Sequence, residues 1–203
     1  MVDVVLPVRD GAQWLGEALS SLASQSYDGW ELTAVDDGSK DASPDMLEAF
    51  ARETGKDVVH VPGLSMSGDW LDGYARTLRS LARILDLSGG KPRPRRVAIV
   101  GYLWDRNEEA HTAHLRVLRE MCEALDLELT GVWLSGGSFS DLRSVRDAGT
   151  ILSLPYGRAA ARLVAGRTGA EVIDLPLPFG PRATEEWMRV LGERFGAADR
   201  AQA

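Results

Sequence analysis

The sequence places two adjacent carboxylates, a glycine and a serine, Asp36-Asp37-Gly38-Ser39, directly after the apolar run Trp30–Val35. A carboxylate at the end of a strand can accept hydrogen bonds from a base N–H and from a ribose hydroxyl. Gly38 allows the backbone to approach a ligand closely. The same four residues equally suit a strand-to-helix turn with an Asx cap. Residue type alone leaves both readings open.

His111 and His114 stand near Asp105, Glu108 and Glu109, a composition that suggests a metal cluster. On a helix the two histidines are neighbours, but the pattern fixes no third ligand, so no metal site is assigned. Ser138 and His111 do not form a hydrolase pair, because no nucleophile elbow surrounds either. Cys122 is the single cysteine. It excludes an intramolecular disulfide and any all-cysteine cluster within one chain. Its place on the apolar face of a helical stretch makes it a small core residue. Arg158 and Arg182 each stand near a helix start, where they suit either a bound anion or a solvated surface.

The elements that carry these residues alternate. Val2–Val8 reads as a buried strand, Ala12–Ser24 as an amphipathic helix with Leu15, Leu19 and Leu22 on one side, and Trp30–Val35 as a second strand. Ser43 as N-cap and Pro44 at the first helical position open a helix that Gly55 ends. Val58–Val61 is a third strand and Ser67–Leu87 a long helix. Ser88–Arg96, SGGKPRPRR, reads as a linker, its four basic residues forming a basic patch or a solvated loop. Strands Val97–Leu103, Glu128–Leu134, Thr150–Leu154 and Glu171–Leu175 then alternate with helices Glu108–Leu125, Ser140–Arg146 and Arg158–Thr168, and with a last helix capped by Thr184. About seven strands alternating with helices give an α/β class: a doubly wound, mostly parallel sheet of the Rossmann or flavodoxin-like kind. The strands are expected in one sheet, or in two closely packed ones, with the break near Pro62-Gly63. Every loop named above with candidate ligand residues, Asp36–Ser39 first among them, falls at the carboxyl end of a strand, where such sheets bind ligands.

The chain has 203 residues and a net charge of −7, which argues against a nucleic-acid partner. Residues 1–62 carry 4 basic against 12 acidic residues, a net of −8, and residues 63–203 carry 19 against 18, a net of +1. The split suggests segments of different history. No leader and no membrane-length apolar run is present, so the expected setting is cytoplasmic.

The opening segment resembles the nucleotide-binding start of a family 2 glycosyltransferase of the GT-A type. The matching residues are Leu6-Pro7-Val8-Arg9-Asp10-Gly11, Leu15, Ala18, Ser21-Leu22, Gln25-Ser26, Trp30-Glu31-Leu32 and Val35-Asp36-Asp37-Gly38-Ser39. The resemblance covers about residues 2–62. It implies a nucleotide-sugar partner, UDP-linked, with Pro7 and Arg9 flanking the base, and Asp36 and Asp37 contacting uracil and ribose beside Gly38. It also implies a divalent metal on the diphosphate, held by an Asp-x-Asp turn, and a carboxylate base. No Asp-x-Asp turn follows Val58–Val61; Asp69-Trp70-Leu71-Asp72 is spaced by two and falls on a helix. The segment is therefore expected to bind rather than to catalyse.

From about His60 onward the chain resembles part of a nitrogenase component 1-type oxidoreductase. Pro62-Gly63, Ser67-Gly68-Asp69-Trp70, Val97-Ala98-Ile99-Val100-Gly101, Leu125-Asp126-Leu127-Glu128, Gly136-Gly137-Ser138, Pro155-Tyr156-Gly157 and Leu177-Pro178-Phe179-Gly180 carry the likeness. That family implies flavodoxin-like domains that carry clusters or tetrapyrroles, ligated mainly by cysteine, and a homologous or nitrogenase-like partner subunit. Cys122 alone does not supply those ligands, so the resemblance implies a fold and a crevice. Ser135–Ser138, Tyr156–Arg158 and Phe179–Arg182 are expected to line it, with Gly136, Gly137, Ser138, Tyr156, Gly157, Arg158 and Arg182 as the candidate site residues. The expected organisation is a truncated nucleotide-binding segment over 1–62, a flavodoxin-type domain over 63–196 with a linker at 88–96, and a flexible tail over 197–203. Three functions follow: nucleotide-sugar binding, an oxidoreductase-like cofactor- or partner-binding domain, or a fusion product that folds without catalysing.

Overall fold

The computed structural model describes residues 2–55, 58–62, 68–103 and 110–199. Two compact units divide at Ile84/Leu85. In the first, β1 (Val2–Val8), β2 (Trp30–Asp36) and β3 (Val58–Pro62) form a three-stranded parallel sheet in the order β1-β2-β3. α1 (Ala12–Ala23) and α2 (Ser43–Thr54) connect them. Right-handed crossovers in one direction set both helices on one face. There Trp30, Leu32 and Ala34 alternate into a core with Leu15, Leu19, Leu47 and Phe50. α3 (Trp70–Ile84) packs on β3, so the break between units falls after this helix, one element beyond Pro62-Gly63.

In the second unit β4 (Arg93–Val100), β5 (Glu128–Val132), β6 (Ala148–Ser153) and β7 (Glu171–Asp174) form a four-stranded parallel sheet in the order β5-β4-β6-β7. α4 (His111–Ala124), a 3₁₀ segment (Phe139–Asp147), α5 (Arg158–Thr168) and α6 (Gly180–Phe195) complete it. Val97, Ile99 and Leu152 share a core with Leu118 and Cys122 of α4 and with Trp187 and Leu191 of α6. α5 packs against β6 and β4 through small residues, with Ala160, Ala161 and Val164 buried. Among the described residues the strands number seven, parallel and alternating with helices, and they lie in two sheets.

Three local expectations are corrected. Arg93–Arg96 is not linker but the first half of β4. Its charged residues are used by the fold: Arg96 pairs with Glu128 at 2.8 Å, and Arg95 donates to the carbonyls of Leu125 (3.2 Å), Asp126 (3.3 Å) and Phe195 (3.2 Å). Those carbonyls sit where α4 and α6 end, at the negative ends of the helix dipoles. Thr184 does not cap α6; the helix begins at Gly180 with a proline in its first turn, and Thr184 Oγ1 donates to the Gly180 carbonyl at 3.1 Å. Ser43 is the first residue of α2 rather than its N-cap, which is Ala42. Gly55, with φ +63, ends α2 as its type predicts.

Candidate functional site

Pro7, Arg9, Asp36, Asp37 and Gly38 come together at the carboxyl edge of the first sheet. The Asp37 N–H donates to the Val8 carbonyl at 2.8 Å, which holds the end of β2 beside the end of β1. Arg9 Nη1 donates to Asp37 Oδ2 at 2.9 Å, and both side chains reach solvent, at 58% and 37% exposure. Asp36 is buried, and its carboxylate accepts the Ser39 N–H at 3.1 and 3.3 Å. That bond is the Asx turn, and Gly38 with φ +73 completes it.

The two loops beyond these strands are stitched together. Three successive backbone donors open α1: Asp10 N–H reaches Ser39 Oγ (2.9 Å), Gly11 N–H reaches Ser43 Oγ (3.0 Å) and Ala12 N–H reaches Asp41 Oδ2 (2.9 Å). Lys40 N–H returns a bond to Asp10 Oδ1 at 2.8 Å. A helix start of this kind is where a phosphate is ordinarily held; here the following loop supplies the acceptors. The Ser43 hydroxyl, and then the N–H groups of Ala12 and Ser43, hold the Asp41 carboxyl below the usual aspartate range.

The second unit opens a cavity of about 320 Å³. It lies where β4 and β6 are neighbours whose connections leave in opposite directions, the switch point at which doubly wound sheets bind ligands. Tyr102 and Leu103 line it after β4, Leu154 after β6, Leu177 and Phe179 after β7, and Leu118 and Met121 from α4. Gly136, Gly137, Ser138, Tyr156, Gly157, Arg158 and Arg182 do not line it. Ser138 N–H donates to Asp141 Oδ2 at 2.8 Å, so the Gly136-Gly137-Ser138 turn folds onto the 3₁₀ segment. Tyr156 is half-buried. Gly157 meets β4 backbone to backbone: a Cβ there would overlap the Val100 carbonyl, and one on Gly101 would come within 2.7 Å of Gly157 N. Arg158 pairs with Asp174 at 2.6 Å, and Arg162 adds a second contact at 2.9 Å. Burial works to raise the Asp174 carboxyl. The bonds from Ser153 and Arg158 and the charges of Arg158 and Arg162 outweigh it, leaving the group below its usual range. Arg182 lies exposed in the first turn of α6.

His111 is buried, with Nε2 2.7 Å from the Ser135 carbonyl and Nδ1 3.2 Å from the Tyr102 hydroxyl. Nε2 therefore carries the proton and Nδ1 accepts from the tyrosine. Both ring nitrogens are in use, so His111 fastens the start of α4 to the turn after β5. Asp105, Glu108 and Glu109 lie outside the described residues. Among the described residues no group of three His, Cys, Asp or Glu side chains is placed to hold a metal ion. The Cys122 thiol is pushed up to about 12, first by burial and then by the charge of Glu123.

Residues 39–203 match the family model described as nitrogenase component 1 type oxidoreductase. The chain belongs to this family. The nitrogenase-type match begins at Ser39, ahead of His60, and overlaps a match of residues 3–63 to glycosyl transferase family 2. No curated protein matches the sequence. Among solved structures, "Nitrogenase Cp1 at pH 6.5" is similar with a TM-score of 0.63 at 18% identity, covering 92% of this chain and 45% of that one. "Nitrogenase Cp1 at pH 5" is similar with a TM-score of 0.70 at 11% identity, covering 95% and 39%. At these identities the likeness is one of fold, and this nitrogenase component 1-type chain spans less than half the length of either structure. Among the described residues no helix is long and apolar enough to cross a membrane.

Sequence reasoning missed the roles of Ser39, Asp41 and Ser43, although a run of serine and aspartate after a strand is the composition that bonds backbone donors. Of the stretches expected to line a crevice, Phe179 and Gly180 border the switch-point cavity of this nitrogenase component 1-type chain; its other walls are largely aliphatic and aromatic, with His114 and Thr184 among them, and most of them read in the sequence as core.

Proposed function

We propose that the first unit binds the nucleotide of a UDP-linked nucleotide-sugar, as a binding function without transfer chemistry. The observation that carries this is the solvent-reached Arg9–Asp37 pair, at 2.9 Å, at the carboxyl edge of the sheet within the stretch matched to glycosyl transferase family 2. Uracil presents an N–H between two carbonyls, which a carboxylate and a guanidinium side by side complement, and the ribose diol offers further donors to Asp37. Asp36 is buried and bonded to Ser39, so it shapes the turn. Pro7 and Gly38 border the same edge. The first donors of α1 are already bonded, so the diphosphate extends past them toward solvent. Among the described residues no group of three ligating side chains comes together. No metal step belongs to the reading.

Calorimetric titration with UDP tests it. Saturable binding is expected, equal with and without Mn²⁺ and about tenfold weaker in Asp37→Ala. UDP-sugar incubated with the protein should release UDP only at the background rate. A folded protein that gives no heat with UDP overturns the proposal.

A second reading, cofactor or partner-subunit binding by the second unit, is favoured by the apolar cavity at the switch point. Its volume is at the small end for ligand sites. Thermal shift with NAD, flavins and haem, together with the visible spectrum of anaerobically purified protein, decides it. A colourless protein that none of them stabilises counts against a cofactor.

A further inference from the structure

We propose that the open edge of β1 docks a basic, extended polypeptide segment, which adds to the first sheet as a further strand. Burial falls steadily across that sheet on the face opposite α1 and α2. In one row Val59 is 1% exposed, Thr33 half-buried and Val5 67% exposed; in the next, Val61 is buried, Val35 half-buried and Pro7 exposed. α3 covers the β3 side. Among the described residues β1 is an edge strand with no neighbour beyond it.

The backbone of that edge is set for pairing. Val2 N–H donates to the Gly29 carbonyl, and the Val8 carbonyl accepts from Asp37 N–H, both toward β2. Backbone polar groups alternate along a strand. Those of Asp3 and Val5 therefore turn outward, with the carbonyl of Pro7. Pro7 lacks an N–H, which ends the ladder and confines a partner strand to the Asp3–Val5 portion. The flank above is apolar too. Gly16 of α1 faces Met46 of α2 and Leu15 is buried, so Trp14, 64% exposed, falls on the side of α1 turned away from α2.

Charge selects the occupant. From Val2 to Asp37 the chain carries seven acidic residues and one basic residue, Arg9, whose guanidinium is engaged by Asp37. A second copy brings the same charge to the same edge. A cationic strand gains from it, while backbone bonds supply the geometry and Val5 and Trp14 the apolar contact.

The test is fluorescence anisotropy of a labelled peptide of alternating valine and lysine, about eight residues long, titrated with the full chain. Hydrogen exchange at Asp3 and Val5 is the second readout. Saturable binding, weakened about tenfold by high salt, with slowed exchange at Val5, is expected. Val5→Pro removes the outward N–H and should weaken binding about tenfold or more. Val5→Lys, at an exposed side chain, keeps the fold and should weaken it through charge. Binding of a valine–aspartate peptide with equal affinity, unchanged exchange at Val5, or unchanged affinity in either folded variant overturns the proposal. So does a wild-type dimer that Val5→Lys dissociates, since the occupant is then a second copy.

Discussion

The two units build the same βα repeats and finish the carboxyl edges of their sheets in opposite ways. In the first, consecutive strands lie side by side as β1-β2-β3, so consecutive loops are neighbours and bond to one another through Ser39, Asp41 and Ser43. In the second, the order β5-β4-β6-β7 sends the connections after β4 and β6 apart, and a cavity opens between them. The lesson is that strand order, rather than the glycine and aspartate motifs at strand ends, decides where a crevice forms. The first unit carries the more recognisable motif; the second carries the crevice, and of its motifs only Leu177-Pro178-Phe179-Gly180 lies in it.

Substitutions can break or sharpen this contrast, and the largest effect should come from the second core. Trp187 is fully buried and its Nε1 donates to the Pro176 carbonyl at 2.7 Å. Trp187→Ala should cost about 3–5 kcal/mol in urea unfolding and leave UDP binding by the first unit unchanged. Loss of UDP binding would show that the units do not act separately. Next is Gly157→Ala, where a side chain meets the end of β4; about 1–3 kcal/mol of destabilisation is expected. Gly166→Ala, within the helix α5 that follows Gly157 but facing open space, should stabilise by about 0.5–1 kcal/mol. Melting temperatures that move in the same direction for both would remove the case for the Gly101–Gly157 approach.

In the first unit Asp41→Ala frees the Ala12 N–H, one of the three donors that open α1. The folded Asp41 carboxyl lies below its ordinary value of 3.8, so its contribution is fully present above that value and is lost as pH falls through the lower folded one. Wild type and variant should therefore differ in melting temperature at neutral pH and converge in acid, with faster exchange at Ala12 in the variant. A difference that persists at acid pH contradicts the assignment. The smallest effect on stability belongs to Arg9→Ala, which removes an exposed ion pair worth about 0.2–1 kcal/mol and screened by salt. Its effect on UDP affinity should exceed its effect on stability; the reverse would make the pair structural.

Much of this was legible in the sequence, and the remainder was hidden for definite reasons. Val2–Val8 and Arg158–Thr168 carry clean periodicity and appear with the bounds their patterns predict. Arg93–Arg96 escaped because its half of β4 is largely exposed and its arginines serve helix ends about thirty and a hundred residues away. No local pattern announces such contacts. Thr184 misled as a cap because the proline and glycine that actually start α6 also punctuate loops. Residue type alone suggests Gly136, Gly137, Ser138, Arg158 and Arg182 as a crevice lining, but it cannot show that Ser138 bonds Asp141 or that Arg158 bonds Asp174.

Arg95 has a consequence in time. Its guanidinium is a clasp between the first strand of the second unit and the last turn of α6, a hundred residues later. A chain emerging from the ribosome makes β4 early, and the carbonyl that completes this clasp appears only with Phe195. Trp187 and Leu191, from the same late helix, fill the core over β4. The second unit therefore stays incomplete until α6 has been synthesised, with Val97 and Ile99 of β4 waiting for their cover. That interval, rather than the finished protein, is when this sequence is most exposed to aggregation.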